Sequence, residues 1–425
     1  MTYEQYLNNR HQYQEIGRDL FLEKKHACLF YEPGKGKTYP AIEAMLEVNK
    51  QKAGKAKVLI ISSADAIKKM WKPEIEPQNI LPDETYLVTS MTAIQDDMMK
   101  ELLSITWDII LVDECHILKS HNAKICKLVH RISMKTEYAW GLTGTPRGNR
   151  DLDIWNQFHQ LNINGQGKLS FHAFTRMACT FETIYGAYGR IQSPIGFTSK
   201  FQPIWDEMLR EYAMFVDYDE DDEMPEFIKE VIEIEYEHTD DYKRALKGII
   251  EVGDFATTTN KLIAIRKAQQ ACNGYLYLPD KDTFRLHDNG KIAWVQQNLI
   301  HNTEKCVLIY WYQEDFKELS RLLGDRATYD VNVFKRGNHQ FLLLQESCGR
   351  SFNLQDHCSK IVFYTYAYSF IDYKQVIHRC WRKGQKETCR VQVLQLKNTI
   401  EKHIWDTVLN KQSAHDMYMS IRKAI

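Results

Sequence analysis

The nine residues "FYEPGKGKT", Phe30 to Thr38, set a proline, two glycines, two lysines and a threonine directly behind an apolar start. A phosphate grip uses these residue types. Glycines let the backbone close around an anion, N–H groups at a helix start point at negative charge, and a lysine adds a point charge. The full phosphate-loop pattern also wants a small residue five places before its second glycine, where this chain has Tyr31. Taken alone, the nine residues therefore fit an exposed basic turn as well as a phosphate grip. Their surroundings favour the grip: "HACLFYE" reads as a short buried strand and "TYPAIEAMLEVNK" as an amphipathic helix. In a strand–turn–helix, Pro33, Gly34, Lys35 and Gly36 shape the loop, Lys37 reaches the β- and γ-phosphates of ATP, and Thr38 holds Mg2+.

Three further clusters could do chemistry with that nucleotide. "LVDECH" (111–116) puts two carboxylates at the end of an apolar run. Ligands of open α/β sheets bind at such strand ends. Asp113 suits Mg2+ and Glu114 suits polarising a water. "GLTGTP" closes another run, and the hydroxyls of Thr143 and Thr145 are placed to sense a γ-phosphate. "QVIHRCWRKGQ" (375–385) spaces Gln375, Arg379 and Arg382 at i, i+4 and i+7, which predicts one face of one helix. Two aligned arginines without nearby carboxylates make sense when they point at a phosphate.

The elements that must position these groups follow from hydropathy. "KVLIISS" (57–63), "TYLVTS" (85–90), "WDIILVDE" (107–114) and "EYAWGLTGT" (137–145) are continuous apolar runs separated by helical stretches, which predicts a parallel α/β sheet. From about 155 to 287 the texture is aromatic and helical, with an acidic run "VDYDEDDEMPEF" (216–227) that reads as a solvated linker. Strands return in "KCVLIYW" (305–311), "QFLLLQES" (340–347), "KIVFYTYA" (360–367) and "CRVQVLQL" (389–396), a second α/β unit, and the tail from Asn398 reads as helix. The 425 residues predict two or three domains. A net charge of −1 means that nucleic acid would have to meet a local basic surface. No apolar run suggests a membrane span, and the polar start "MTYEQYLNNR" lacks a signal-peptide core. The ten cysteines form no CxxC pair, which points to free buried thiols in a reducing cytoplasm.

The ordered set "QYQEIG" (12–17), "EPGKGKT" (32–38), "VLIISS" (58–63), "DECH" (113–116), "TGTP" (143–146), "SCGRSFNL" (347–354) and "QVIHRCWRKGQ" (375–385) resembles the superfamily 2 helicase motifs. The last is most similar to the Swi/Snf-type translocases, as are the linker-helix stretch "RKAQQACNGYLY" (266–277) and the closing brace "NTIEKHIWD" (398–406). The resemblance covers nearly the whole chain. It implies that Gln14 reads the adenine edge, that Thr143, Thr145 and Gln375 couple ATP state to the fold, and that Arg379 and Arg382 are arginine fingers. It also implies nucleic-acid contacts at Ser63, Thr89, Ser90, Ser347, Gly349 and Asn353. Lys35 and Pro33 stand where the family has an apolar residue and Met, and Ser351 where it has Gly.

The resemblance implies an α/β fold of two RecA-like parallel-sheet lobes: lobe 1 over 1–155, a mostly helical insertion over 156–287, lobe 2 over 288–397 and a C-terminal brace helix over 398–425. The implied function is an ATP- and Mg2+-dependent translocase on double-stranded or branched DNA, acting as a monomer with room for an unknown protein partner. Its small size suits a bacterial virus or mobile element. A strand-separating helicase is the first rival, with "FETIYGAYGRIQSPIGF" (181–197) and its Tyr185, Tyr188 and Phe197 as a candidate wedge. An ATP-switched clamp without motor activity is the second.

Overall fold

Runs of apolar residues without polar alternation become strands buried on both faces, and the structure uses them so. The computed structural model describes residues 2–147, 150–186, 189–218, 224–247, 249–252, 255–258, 261–278, 283–287, 289–346, 352–367 and 369–410. Two compact units contain them, one up to Tyr218 and one from Met224.

The first unit is built on a six-stranded sheet. Its strands are β1 (His26–Tyr31), β2 (Val58–Ser62), β3 (Thr85–Thr89), β4 (Ile109–Asp113), β5 (Tyr138–Leu142) and an edge strand, Ala213–Val216. The order is β3-β2-β4-β5-β1 followed by that edge strand, and every pairing is parallel. All residues of β2, β4 and β5 are buried. One face packs on a cluster that includes Phe21, Met45, Trp71 and Trp140, the other on one that includes Leu128, Trp155, Phe158 and Trp205. An antiparallel hairpin, Cys179–Gly186 with Gly189–Phe197, stands apart from this sheet.

The second unit repeats the design. Its sheet order is Ala327–Thr328, Phe341–Gln345, Cys306–Tyr310, Lys360–Phe363, Cys389–Leu396 and Phe227–Ile234, again all parallel. The fold is thus α/β with two six-stranded parallel sheets. The stretch 156–287, expected as mostly helical, also supplies the last strand of the first sheet and the edge strand of the second. Both are edge strands with half-exposed positions, so they lack the unbroken apolar run that marks a central strand. The described part of the tail is helical over 400–410. All nine described cysteines are buried and none is in a disulfide. Among the described residues no helix is long and apolar enough to cross a membrane.

One buried charge pair ties the second unit together. Lys291 and Glu401 have no exposed side-chain surface and form an ion pair. Lys291 also donates to the Tyr364 carbonyl at 2.9 Å, while Glu401 accepts from the Asn273 amide at 3.2 Å and the Leu396 N–H at 2.9 Å. The pair joins the end of the helix Lys261–Cys272, the start of the helix Gly290–Asn298, a strand end and the tail helix. Lys291→Met is expected to strand Glu401 without its counter-charge and to cost about 3–5 kcal/mol. A urea-unfolding midpoint for the second unit within error of the wild type would contradict this.

Candidate active site

In the order β4-β5-β1 three parallel strands end side by side. Each delivers one part of the candidate site at its C-terminal end. β1 runs into the loop Glu32–Lys37 and the helix Thr38–Gln51, β4 ends at Asp113, and β5 ends one residue before Thr143.

The loop is closed by its neighbours. Gly36 has φ +71°, and a Cβ there would lie 2.6 Å from the Gln14 amide nitrogen. Gln14, 4% exposed, donates that amide to the Lys35 carbonyl at 3.2 Å and accepts from the His11 N–H at 3.0 Å. Lys35 takes the place of an apolar residue by lying buried with its ammonium 5.5 Å from the Tyr13 ring centre. The Pro33 carbonyl accepts from the Tyr218 hydroxyl at 2.5 Å. Gly144 packs against the loop so tightly that a Cβ would meet Pro33 at 2.9 Å and the Tyr31 carbonyl at 3.0 Å. The "TGTP" turn and the glycine loop thus touch directly.

The charged groups meet across this seam. The Lys37 ammonium lies 3.8 Å from Glu114 Oε1. Thr143 donates its hydroxyl to Glu114 Oε2 at 3.1 Å and accepts from the Thr145 N–H at 3.1 Å. His116 Nδ1 is 3.1 Å from the Thr143 hydroxyl and 3.2 Å from Glu114 Oε2, so an Nδ1–H tautomer serves both. Burial pushes the Glu114 carboxyl up, but Lys37, His116 and Thr143 together hold it well below the usual carboxylate range. Burial and the adjacent Glu114 charge push Asp113 the other way, up, against Lys37, Trp71 and Ser62. Adjacent carboxylates thus differ in character: Glu114 is kept ionised by cations and donors, while Asp113 is buried among neutral donors. Glu114 also has a left-handed backbone, φ 56° and ψ 51°, which turns it out of the strand.

Mg2+ takes hard oxygen ligands, usually one or two carboxylates together with phosphates and waters. Thr38 and Asp113 offer such oxygens. Asp113 accepts from Ser62 and Trp71 on Oδ2 and from the Glu114 N–H on Oδ1. A carboxylate has about four acceptor positions, so one on Oδ1 remains for a cation. The residues fit the ion.

Ser63 and Thr89 lie at the ends of neighbouring strands and cap the short helices that follow, accepting from the N–H groups of Ala66 at 3.1 Å and Thr92 at 2.9 Å. Ser90 opens the second of these helices. Ser347 and Gly349 lie outside the described residues. The arginine segment departs from expectation. Gln375 is on the helix Phe370–Ile377, but the helix ends there, so Arg379 and Arg382 are not on its face. The reason is a contact from a distant segment. The Arg379 carbonyl accepts from the Leu354 N–H at 2.7 Å instead of continuing the helical ladder, and the Arg379 guanidinium donates to the Gln375 carbonyl at 2.9 Å and the Phe352 carbonyl at 3.1 Å. Arg382 hydrogen-bonds the side chain of Asn353. This brings two residues expected in separate roles into contact. The candidate wedge forms as a hairpin whose Phe197 is its root, 5.2–6.0 Å from the rings of Phe174, Phe201 and Trp205. Tyr188 lies outside the described residues.

Sequence reading missed Ser62, Trp71 and His116. Only His116 carried a signal, as the fourth letter of "DECH". Nothing local marks Trp71, which approaches Asp113 from 42 residues away.

The SNF2-related domain family matches residues 76–183. The chain is Swi/Snf-like. Protein p41 of Acyrthosiphon pisum secondary endosymbiont phage 1 is 21% identical over 97% of this chain and 98% of its own length. YwqA of Bacillus subtilis, named for ATP-dependent helicase/translocase activity, is 22% identical over 95% of this chain. MG018 of Mycoplasma genitalium, named as an uncharacterized ATP-dependent helicase, is 24% identical over 96%. This chain spans 48% of YwqA and 42% of MG018, less than half of either. Among solved structures, the Sulfolobus solfataricus SWI2/SNF2 ATPase core in complex with dsDNA aligns over 96% of this Swi/Snf-like chain and 92% of that one, at 18% identity and a TM-score of 0.42.

Gly36→Ala is expected to weaken nucleotide binding strongly, because it adds about 1–2 kcal/mol of left-handed strain and displaces Gln14. Gly54 has φ +81° but nothing within 4 Å of a Cβ. Gly54→Ala should therefore lose comparable stability with unchanged nucleotide affinity. Equal affinities for the two variants, measured by calorimetric titration, would contradict the loop's role.

Proposed function

We propose that this chain is an ATP-driven translocase on double-stranded or branched DNA. The observation that carries the reading is the meeting of Lys37, Glu114 and Thr143 at three adjacent strand ends in a Swi/Snf-like chain. In this reading Lys37 binds the β- and γ-phosphates, Gln14 reads adenine, and Thr38 and Asp113 hold Mg2+, which supplies charge neutralisation on the phosphates. Glu114, kept ionised, orients the attacking water. Thr143 and Thr145 pass a change at Glu114 to β5 and to the loop that Gly144 touches.

Arg379 and Arg382 act as arginine fingers supplied by the second unit, so that turnover needs both units together. Gln375 positions Arg379 through its carbonyl. Ser63, Thr89, Ser90 and Asn353 contact phosphates of one DNA strand, which makes binding indifferent to sequence. The Arg382–Asn353 hydrogen bond supports a link between the two tasks, since a movement of Asn353 also moves a partner of the guanidinium. ATP hydrolysis then alternates with stepping along that strand. A strand-separating helicase is the second reading, favoured by the hairpin Cys179–Phe197, whose rooted base would suit a wedge.

Glu114→Gln should bind MgATP and lose about 10²–10⁴ in turnover, as removal of a general base does. Displacement of a triplex-forming strand from duplex DNA, with that variant as blank, tests the motor. Displacement without unwinding of a blunt duplex is the expected result. Efficient unwinding would favour the helicase, and duplex-stimulated ATPase without displacement would favour the clamp.

Arg382→Ala should bind nucleotide nearly as the wild type and lose about 10³–10⁵ in kcat. Single-turnover hydrolysis at saturating ATP measures this. A loss confined to KM would place Arg382 in ground-state binding.

A further inference from the structure

Asp113 is held by more than its own strand. A single oxygen, Oδ2, accepts from the Ser62 hydroxyl at 2.8 Å and from the Trp71 indole N–H at 3.1 Å. Ser62 is the last residue of β2, and Trp71 lies on Ile67–Ile75, a π-helical segment. The chain from Ser62 to Trp71 therefore leaves one atom and returns to it. The residue beside Trp71 touches the other candidate Mg2+ oxygen: Met70 Sδ is 4.0 Å from the Thr38 hydroxyl. Consecutive residues of one segment thus meet oxygens contributed by positions 38 and 113. An i→i+5 winding turns less per residue than an α-helix, so neighbouring side chains lie closer to one face, and such windings occur frequently at functional sites.

Packing alone does not call for the Trp71 hydrogen bond. The indole nitrogens of Trp140, Trp205 and Trp405 are buried without a hydrogen-bond partner among the described residues. Trp71 is equally buried, yet its N–H is directed at a carboxylate. On the outer side of the same segment Lys68 and Lys72 are exposed.

We infer that Trp71 is a positioning residue: together with Ser62 it staples Asp113 in the orientation that presents Oδ1 to Mg2+, while Met70 backs the Thr38 hydroxyl. The inference rests on reading this site as one for MgATP. A carboxylate with one oxygen taken by two fixed donors cannot rotate without breaking both bonds, so its other oxygen stays aimed. Partners of this kind behind a metal ligand typically contribute 10–100-fold in metal affinity.

The test uses Trp71→Phe, which keeps the ring and removes the N–H, and Ser62→Ala, which removes the other donor. Binding of a fluorescent ATP analogue is titrated in EDTA and then against rising Mg2+. For Trp71→Phe the affinity in EDTA should equal that of the wild type, while the Mg2+ concentration that half-maximally tightens binding should rise about tenfold or more. Ser62→Ala should raise it less, because Trp71 remains. An unchanged Mg2+ requirement in Trp71→Phe overturns the inference, and so does an affinity that falls equally in EDTA, which would make the contact packing only. Should Trp71→Phe fail to fold, Ser62→Ala decides, and an unchanged Mg2+ requirement there overturns the staple. A wild type whose binding does not respond to Mg2+ fails the site reading itself. A wild type that responds, with variants that match it, fails only the inference.

Discussion

The parallel register of β4, β5 and β1 is the constraint on which the candidate site depends. Parallel strands end on the same side, so adjacency in the sheet becomes adjacency of the loops that follow. Asp113 pairs in register with Leu142, and Leu142 with Leu29, which aligns the carboxylates, the threonine turn and the glycine loop without any of them being near in sequence. Everything else refines that placement. Gly144 lets the turn press on the loop, the left-handed Glu114 swings its carboxylate towards Lys37, and Thr143 fixes the other oxygen. A register slip of one residue in β5 would turn Thr143 away and leave Lys37 as the principal partner of Glu114.

The second unit places its candidate residues differently. Its arginines are held by backbone carbonyls and by Asn353, on irregular chain that follows a short helix. Elsewhere in the unit the buried Lys291–Glu401 pair draws four elements to a single point. Glu401 lies in the stretch that resembles a closing brace, and the buried ion pair is a physical reason for a brace to exist there.

Much of this was legible in the sequence because central strands announce themselves. "VLIIS", "IILVD" and "FLLLQ" are unbroken apolar runs, and each forms a strand at its expected place. The loop of glycines and Lys37 lies where it was expected, between a strand and a helix. The edge strands were not, since half-exposed residues such as those of "FIKEVIEI" blur the pattern. The end of the helix at Ile377 was not legible either. It is set by the Leu354 N–H, from a segment more than twenty positions away, and heptad-like spacing cannot report a competing donor. Trp71 was invisible for the same reason: its role is a contact across the fold, and indole is ordinarily a core residue.

The central claim is that Lys37 stands opposite Glu114 in order to bind the phosphates of ATP. Calorimetric titration of MgATP into the wild type and into Lys37→Ala, with circular dichroism to check the fold, tests it most directly. The expected result is saturable binding by the wild type and its loss, or a large weakening, in a variant with an unchanged spectrum. Wild-type affinity in a folded Lys37→Ala would contradict the account.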